Sequence, residues 1–262
     1  MPPNKGTLYV LATPIGNLKD ISLRAIEILQ ESDLVIAENR ERALKLLSHL
    51  QIRKPIVTIN AYNEERKAHS IVQQISVGKR CVLISGAGTP CISDPGNVIV
   101  RRSQDLGLDV KAVPGPSAVI AALSISGLSP DRFFFYGFLP QKKGKRKKVL
   151  EELLSRPYPV VFFESPRRLN VTMEEIRAMA PDREVVLAKE MTKMYEELVR
   201  CRADQLADYI PEDDVKGEYT IIVAGQRPHA EGRKVRYPGS HSKIEQGDQE
   251  DNPPASGYPG VL

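Results

Sequence analysis

Leu8-Tyr9-Val10-Leu11-Ala12, closed at once by Thr13-Pro14-Ile15-Gly16-Asn17-Leu18, is the stretch on which the reading of the fold turns. A short apolar run that ends on a Gly/Pro turn reads as a strand stopped abruptly. Ser22, a good N-cap, then opens a helix-like segment in which Leu23, Ile26 and Leu29, with Ala25 and Ile28, form an apolar stripe. The alternation recurs outward from there. Leu34 to Ala37, Ile56 to Ile59, Cys81 to Ser85 and Val110 to Val113 read as strands, with amphipathic segments over Ala43 to Leu50 and Ala68 to Val77 between them. Strands alternating with helices predict an α/β domain with a largely parallel sheet over residues 1–116.

The pattern changes at Pro114-Gly115-Pro116-Ser117. A small-residue helix over Ala118 to Ile125 opens a second α/β domain, residues 117–226, with strands at Phe133 to Tyr136, Val160 to Phe163, Glu184 to Ala188 and Tyr219 to Val223. Its helices are expected near Lys147 to Leu154, Leu169 to Met179 and Asp204 to Tyr209. From Arg227 onward prolines and glycines alternate and aliphatic residues almost vanish, so residues 227–262 are expected to be a disordered tail.

The 262 residues are 41% hydrophobic and 27% charged, a globular composition with no run approaching a membrane span and no secretory signal at the start. A cytoplasmic protein with no membrane partner is expected. Cys81, Cys91 and Cys201 show no C-x-x-C spacing, and His49, His69, His229 and His241 no metal-spaced pair, so no disulfide framework or metal site is expected. G-x-x-x-x-G-K-[ST], the dinucleotide fingerprint and G-x-S-x-G are all absent, which argues against nucleotide triphosphate, dinucleotide and serine-hydrolase chemistry. Lys plus Arg, 37, exceeds Asp plus Glu, 33, only mildly, but Lys142, Lys143, Lys145, Arg146, Lys147 and Lys148 fall in one window on a loop leading into a helix. Such a run is either a solvated surface or a means of neutralising phosphates, and its density favours RNA.

Three Gly/Pro-rich turns follow predicted strands: Thr13 to Leu18, Ser85-Gly86-Ala87-Gly88-Thr89-Pro90, and Pro114 to Ala118. Each alone reads as simple punctuation. Together, beyond the carboxyl ends of strands in an open sheet, they favour a shared ligand crevice.

These turns carry a resemblance. Leu11 to Ser22, Ala87 to Gly96 and Pro114 to Ala118, followed in order by Ser126-Gly127-Leu128, Asp131-Arg132-Phe133, Gly137-Phe138-Leu139-Pro140, Glu164-Ser165-Pro166-Arg167-Arg168-Leu169, Glu190-Met191-Thr192-Lys193 and Lys216-Gly217-Glu218-Tyr219, resemble the ribosomal RNA small subunit methyltransferase I family of the tetrapyrrole-methylase superfamily. The likeness spans about residues 7–225. It implies two small α/β domains with S-adenosyl-L-methionine in the cleft between them. It also implies transfer of the sulfonium methyl to a cytidine 2′-hydroxyl of 16S rRNA in the small ribosomal subunit, by a homodimer. Carried over by motif, Pro14, Gly86, Ala87, Gly88, Thr89, Ser117, Ala118, Phe163, Met191 and Tyr219 line the cofactor site, and Glu190 is the candidate base. Arg167, Arg168 and Lys193 extend the RNA surface of Lys142 to Lys148.

Three departures accompany the likeness. Gly86 stands where the family carries an aspartate, Glu38-Asn39-Arg40-Glu41 where it carries Glu-Asp-Thr-Arg, and Tyr62-Asn63-Glu64 where it carries His-Asn-Glu. Two other functions stay open at this level: methylation of a tetrapyrrole or other small metabolite, which needs no basic run, and a ribosome-associated RNA-binding protein without cofactor.

Overall fold

In the computed structural model, which describes residues 6–128, 131–210 and 215–226, the first sheet is wholly parallel. Its strands are β1 (Thr7–Leu11), β2 (Leu34–Ala37), β3 (Ile56–Thr58), β4 (Arg80–Ile84) and β5 (Asp109–Val113), ordered β3-β2-β4-β1-β5. Strands β2 and β4 read as unbroken apolar runs because helices cover both faces of the sheet. On one face α1 (Leu23–Glu31) and α2 (Arg40–His49) lay Ala25, Leu29, Ala43 and Leu47 against Leu11, Val35 and Val82. On the other, α3 (Glu64–Ser76) and α4 (Asn97–Asp105) lay Ile71, Ile75 and Ile99 against Leu8, Ile36 and Leu83. The chain therefore leaves neighbouring strands β1 and β4 toward opposite faces. That arrangement opens a crevice between their carboxyl ends. There Thr13 N–H donates to Gly88 O at 2.8 Å and Gly88 N–H to Thr13 O at 3.0 Å, tying two of the Gly/Pro turns together.

The second sheet is mixed. It contains β6 (Phe134–Phe138), β7 (Val160–Glu164), β8 (Glu184–Lys189), β9 (Glu197–Arg202) and β10 (Tyr219–Val223) in the order β6-β7-β10-β8-β9. Only β6 and β7 run parallel; β10 is antiparallel to β7 and β8, and β8 to β9. Helix α5 (Ala118–Ile125) covers one face through Val119, Ala122 and Leu123. Helices α6 (Lys143–Leu154) and α7 (Pro166–Met179) cover the other around Phe162, which is 1% exposed. Burying such a side chain contributes roughly 1.5–3 kcal/mol. Both sheets belong to one compact unit, and the tail expected to be disordered lies outside the described residues.

Two elements stand where none was expected. The α4 segment carries Val98-Ile99-Val100, a β-branched run of poor helix propensity, yet Ile99 and Ser103, four apart, are fully buried on one face. Strand β9 is an edge strand whose residues, Cys201 excepted, are exposed or half-exposed, so it lacks an apolar pattern.

Candidate functional site

The crevice holds a cavity of about 340 Å³ between the two sheets. From the first sheet come the turn after β4, which supplies Gly86, Ala87, Gly88 and Thr89, and the start of α5 with Ser117 and Ala118. From the second come Phe163 at the end of β7, Met191 after β8, and Tyr219 on β10. Nine of the ten residues expected to hold the cofactor thus meet around one cavity. Pro14, the tenth, lines an adjoining lobe of about 270 Å³, which shares Ile15, Arg42, Gly86, Ala87 and Glu218 with the first. Thr89 Oγ1 donates to Pro116 O at 3.2 Å, fixing the second turn to the third.

Three further cavity residues were not singled out from the sequence: Glu38, Asp94 and Phe138. Burial, and then the charge of Glu38, push the Asp94 carboxyl up to about 6, against a hydrogen bond from Ser85 and the charge of Arg42. Cys91 and Ser93 adopt φ of 67° and 65°, left-handed values that are uncommon for side chains other than Gly, Asn and Asp, in the loop that presents Asp94 to the cavity. Phe163 packs against Phe135 at 5.1 Å and Phe138 at 5.4 Å between ring centroids, so the second wall is an aromatic bed. Opposed carboxylates and an apolar bed suit a ligand that is both cationic and rich in apolar surface.

Glu190 has a different post from the one expected. Its Oε1 accepts from Lys193 Nζ at 2.8 Å and from Glu218 N–H at 2.8 Å. Burial pushes its carboxyl up, but these two bonds outweigh it and hold the group below the ordinary range, which makes a weak base. Glu190 belongs to neither lobe, whereas Lys193 lines the smaller one. Its loop locks the sheets together. Asn17 N–H donates to Thr192 Oγ1 at 3.0 Å, and a Cβ on Gly16 would lie 2.8 Å from Met191 O and 2.5 Å from Lys193 Cγ, so only glycine admits that approach.

The basic run lies inside α6, which begins at Lys143 with Lys142 as its N-cap, rather than on a loop ahead of a helix starting at Lys147. Lys142, Lys143, Lys145, Lys147 and Lys148 are exposed. Arg146 is not. Its side chain is 6% exposed and makes a two-pronged pair with Glu175 of α7, Nε to Oε2 at 2.7 Å and Nη2 to Oε1 at 2.9 Å, so it is withdrawn from the exposed basic surface. Arg168 is likewise engaged, with Glu164 Oε1 at 2.6 Å and Leu139 O at 2.9 Å, while Arg167 is exposed. Among the described residues no cluster of His, Cys, Asp and Glu is arranged to hold a metal, and no helix is long and apolar enough to cross a membrane.

Comparison with known proteins matches this geometry. Residues 7–207 match the model of the Tetrapyrrole (Corrin/Porphyrin) Methylases. The chain is 40% identical to the ribosomal RNA small subunit methyltransferase I of Bacillus subtilis, over 84% of this chain and 75% of that one. It is 42% identical to the protein of the same name from Haemophilus influenzae, over 84% and 79%. Among solved structures, uroporphyrin-III C-methyl transferase from Thermus thermophilus complexed with S-adenyl homocysteine superposes with a TM-score of 0.60 at 18% identity, covering 84% of this chain and 97% of that one. The crevice at the β1/β4 switch point and the mixed second sheet are therefore those of a shared fold, and the chain belongs to the tetrapyrrole methylase family, alongside the ribosomal RNA small subunit methyltransferases I.

Proposed function

We propose that the protein transfers the methyl group of S-adenosyl-L-methionine to the ribose 2′-hydroxyl of a cytidine in 16S rRNA of the small ribosomal subunit. The observation that carries this reading is the identity of about 40% with methyltransferases of that name, over 84% of this chain. The protein is an S-adenosylmethionine-dependent methyltransferase, and rRNA is its substrate. The cofactor supplies an activated methyl on a sulfonium. Phe163, Phe138 and Met191 offer the apolar bed for its uncharged surface, and Asp94 with Glu38 the negative field for its cationic centres.

The chain's own residues then align the attack. Holding hydroxyl and methyl in line supplies much of the acceleration, and the hydroxyl proton must leave. Glu190 is tied up by Lys193 and the Glu218 N–H, and Asp94, whose carboxylate faces the cavity, takes the role expected of Glu190. RNA is held by α6, whose exposed lysines sit at the helix N-terminus, where the helix dipole disfavours positive charge and the first turn carries no acidic residue. That placement costs helix stability and is accounted for by a polyanionic partner. A cytoplasmic homodimer follows from the same reading. It is supported by α5, apolar on nearly every side yet exposing Ile120 and Ile125.

The test is incubation of the protein with radiolabelled S-adenosylmethionine and small subunits lacking this modification, followed by mapping of the label. Label on one cytidine ribose is expected. No label on the rRNA beside an active control methyltransferase, with label taken up instead by a tetrapyrrole in a parallel incubation or by neither, would overturn the reading.

A further inference from the structure

Of the residues expected to hold the cofactor, the smaller lobe has only Pro14 to itself and shares Gly86 and Ala87 with the larger cavity, and its walls differ in kind. Two cations come from α2, Arg42 and Lys45, three residues apart and so on one helix face. The third, Lys193, faces them from the loop after β8. Its Nζ is held by Glu190 at 2.8 Å and Glu218 at 3.0 Å, and Glu218 is the only carboxylate residue lining the lobe. Three cations against Glu218 in the wall and Glu190 beside Lys193 leave an excess of one positive charge around a space of about 270 Å³ that adjoins the cofactor cavity.

Gly86 shapes this charge. A Cβ there would lie 3.2 Å from Arg42 Nη1 and 3.4 Å from its Cδ, so the arginine side chain passes close over the glycine. The nearest carboxylate oxygen in its ion pair, Glu218 Oε1, is 3.9 Å away, and the Arg42 side chain is 57% exposed. A guanidinium so loosely held keeps its donor fork available for an oxyanion.

We infer that the smaller lobe is the entry for the acceptor strand, with Arg42, Lys45 and Lys193 holding the phosphodiester next to the ribose that is methylated. This deepens the rRNA methyltransferase reading and rests on it. Phosphate contacts position a strand, and a strand gripped one lobe away from the cofactor brings its ribose to the boundary that Ile15, Gly86 and Ala87 share between the two spaces.

Lys45 gives the clean test, because it lines the smaller lobe alone and is exposed. In the full chain, Lys45→Ala and Lys45→Glu are compared with the unaltered protein for S-adenosylmethionine affinity by calorimetry, thermal unfolding, and methylation of unmodified small subunits across a salt series. The expected result is unchanged melting and cofactor affinity, a KM for subunits raised about tenfold in Lys45→Glu with kcat preserved, and a salt slope reduced by about 0.7–0.9 in Lys45→Ala. An unchanged KM and slope would overturn the inference. So would weaker cofactor binding with unaltered RNA binding, which would assign the lobe to the cofactor's carboxylate. If the unaltered protein labels rRNA, either failure falls on the lobe alone; if it labels nothing, the enzyme reading fails first.

Discussion

The two walls of the crevice differ in what they bring. The parallel-sheet wall carries Glu38, Arg42 and Asp94 on segments beyond the carboxyl ends of β2 and β4, where side chains converge on the switch point. The mixed-sheet wall carries Phe138, Phe163, Ala188 and Met191 on strands and strand ends backed by α6 and α7. The first wall brings the opposed carboxylates Glu38 and Asp94; the second, although it also carries Glu164, paired with Arg168, and Glu218, brings the apolar bed. The difference teaches why the second sheet must be rigid: an apolar bed selects by fit, and fit is lost when its support loosens.

The largest effect is therefore expected from outside the crevice. Arg146 and Glu175 pin α6 to α7 beneath β7, with side chains 6% and 12% exposed. Arg146→Ala leaves a buried carboxylate unpaired and should cost about 3–5 kcal/mol of stability, read by denaturant unfolding. Lys145→Ala, one residue earlier and exposed, should leave stability unaltered while lowering RNA affinity. Equal stability in the two variants would break the view that α6 supports the bed with one face and meets RNA with another.

Next comes the charged wall itself. Asp94→Asn keeps the shape and removes the charge, and should weaken S-adenosylmethionine binding by about 1.5–3 kcal/mol in calorimetry. The same group sets a pH dependence. Its folded pKa, about 6, lies above the ordinary value of 3.8, so the folded protein without ligand binds the proton more tightly than the unfolded chain. Its contribution to stability is best below pH 4 and declines as pH rises toward 6. Cofactor affinity runs the other way, since the cation wants the carboxylate. Affinity should fall about tenfold per pH unit below 6 and level above 7, and the Asn variant should lose that dependence. A pH-flat unaltered protein would remove Asp94 from cofactor binding.

The contrast between the walls also marks what the sequence discloses. Strands β2, β4, β7 and β10 announce themselves as apolar runs because both their faces are buried. Gly86 to Thr89, Ser117 and Phe163 are visible as turn motifs and their neighbours. Asp94 is not, although it lies within the Ala87 to Gly96 motif, because its aim depends on left-handed backbone at Cys91 and Ser93. Arg146 is hidden for a different reason. In a run that is basic on every side no periodicity marks the buried position, and its partner Glu175 lies 29 residues away. The partners of Glu190 are hidden too: its motif lies at the cleft, but the sequence does not show that its carboxylate accepts from Lys193 and the Glu218 N–H.

The smallest effect probes the apolar wall on its own terms. Phe163→Leu preserves most of the apolar volume and removes the ring that meets Phe135 at 69° and Phe138 at 53°. Aromatic pairs contribute about 0.5–1.5 kcal/mol beyond their buried area, so cofactor affinity should weaken roughly threefold to tenfold. The pH profile should keep its midpoint, because the leucine leaves the Asp94, Glu38 and Arg42 charges in place. A shifted midpoint would mean that the ring, rather than the depth of the cleft, desolvates Asp94, and the two walls would then act as one unit. An unshifted midpoint with weaker affinity keeps them separate: the opposed carboxylates set by the first sheet, the apolar bed by the second.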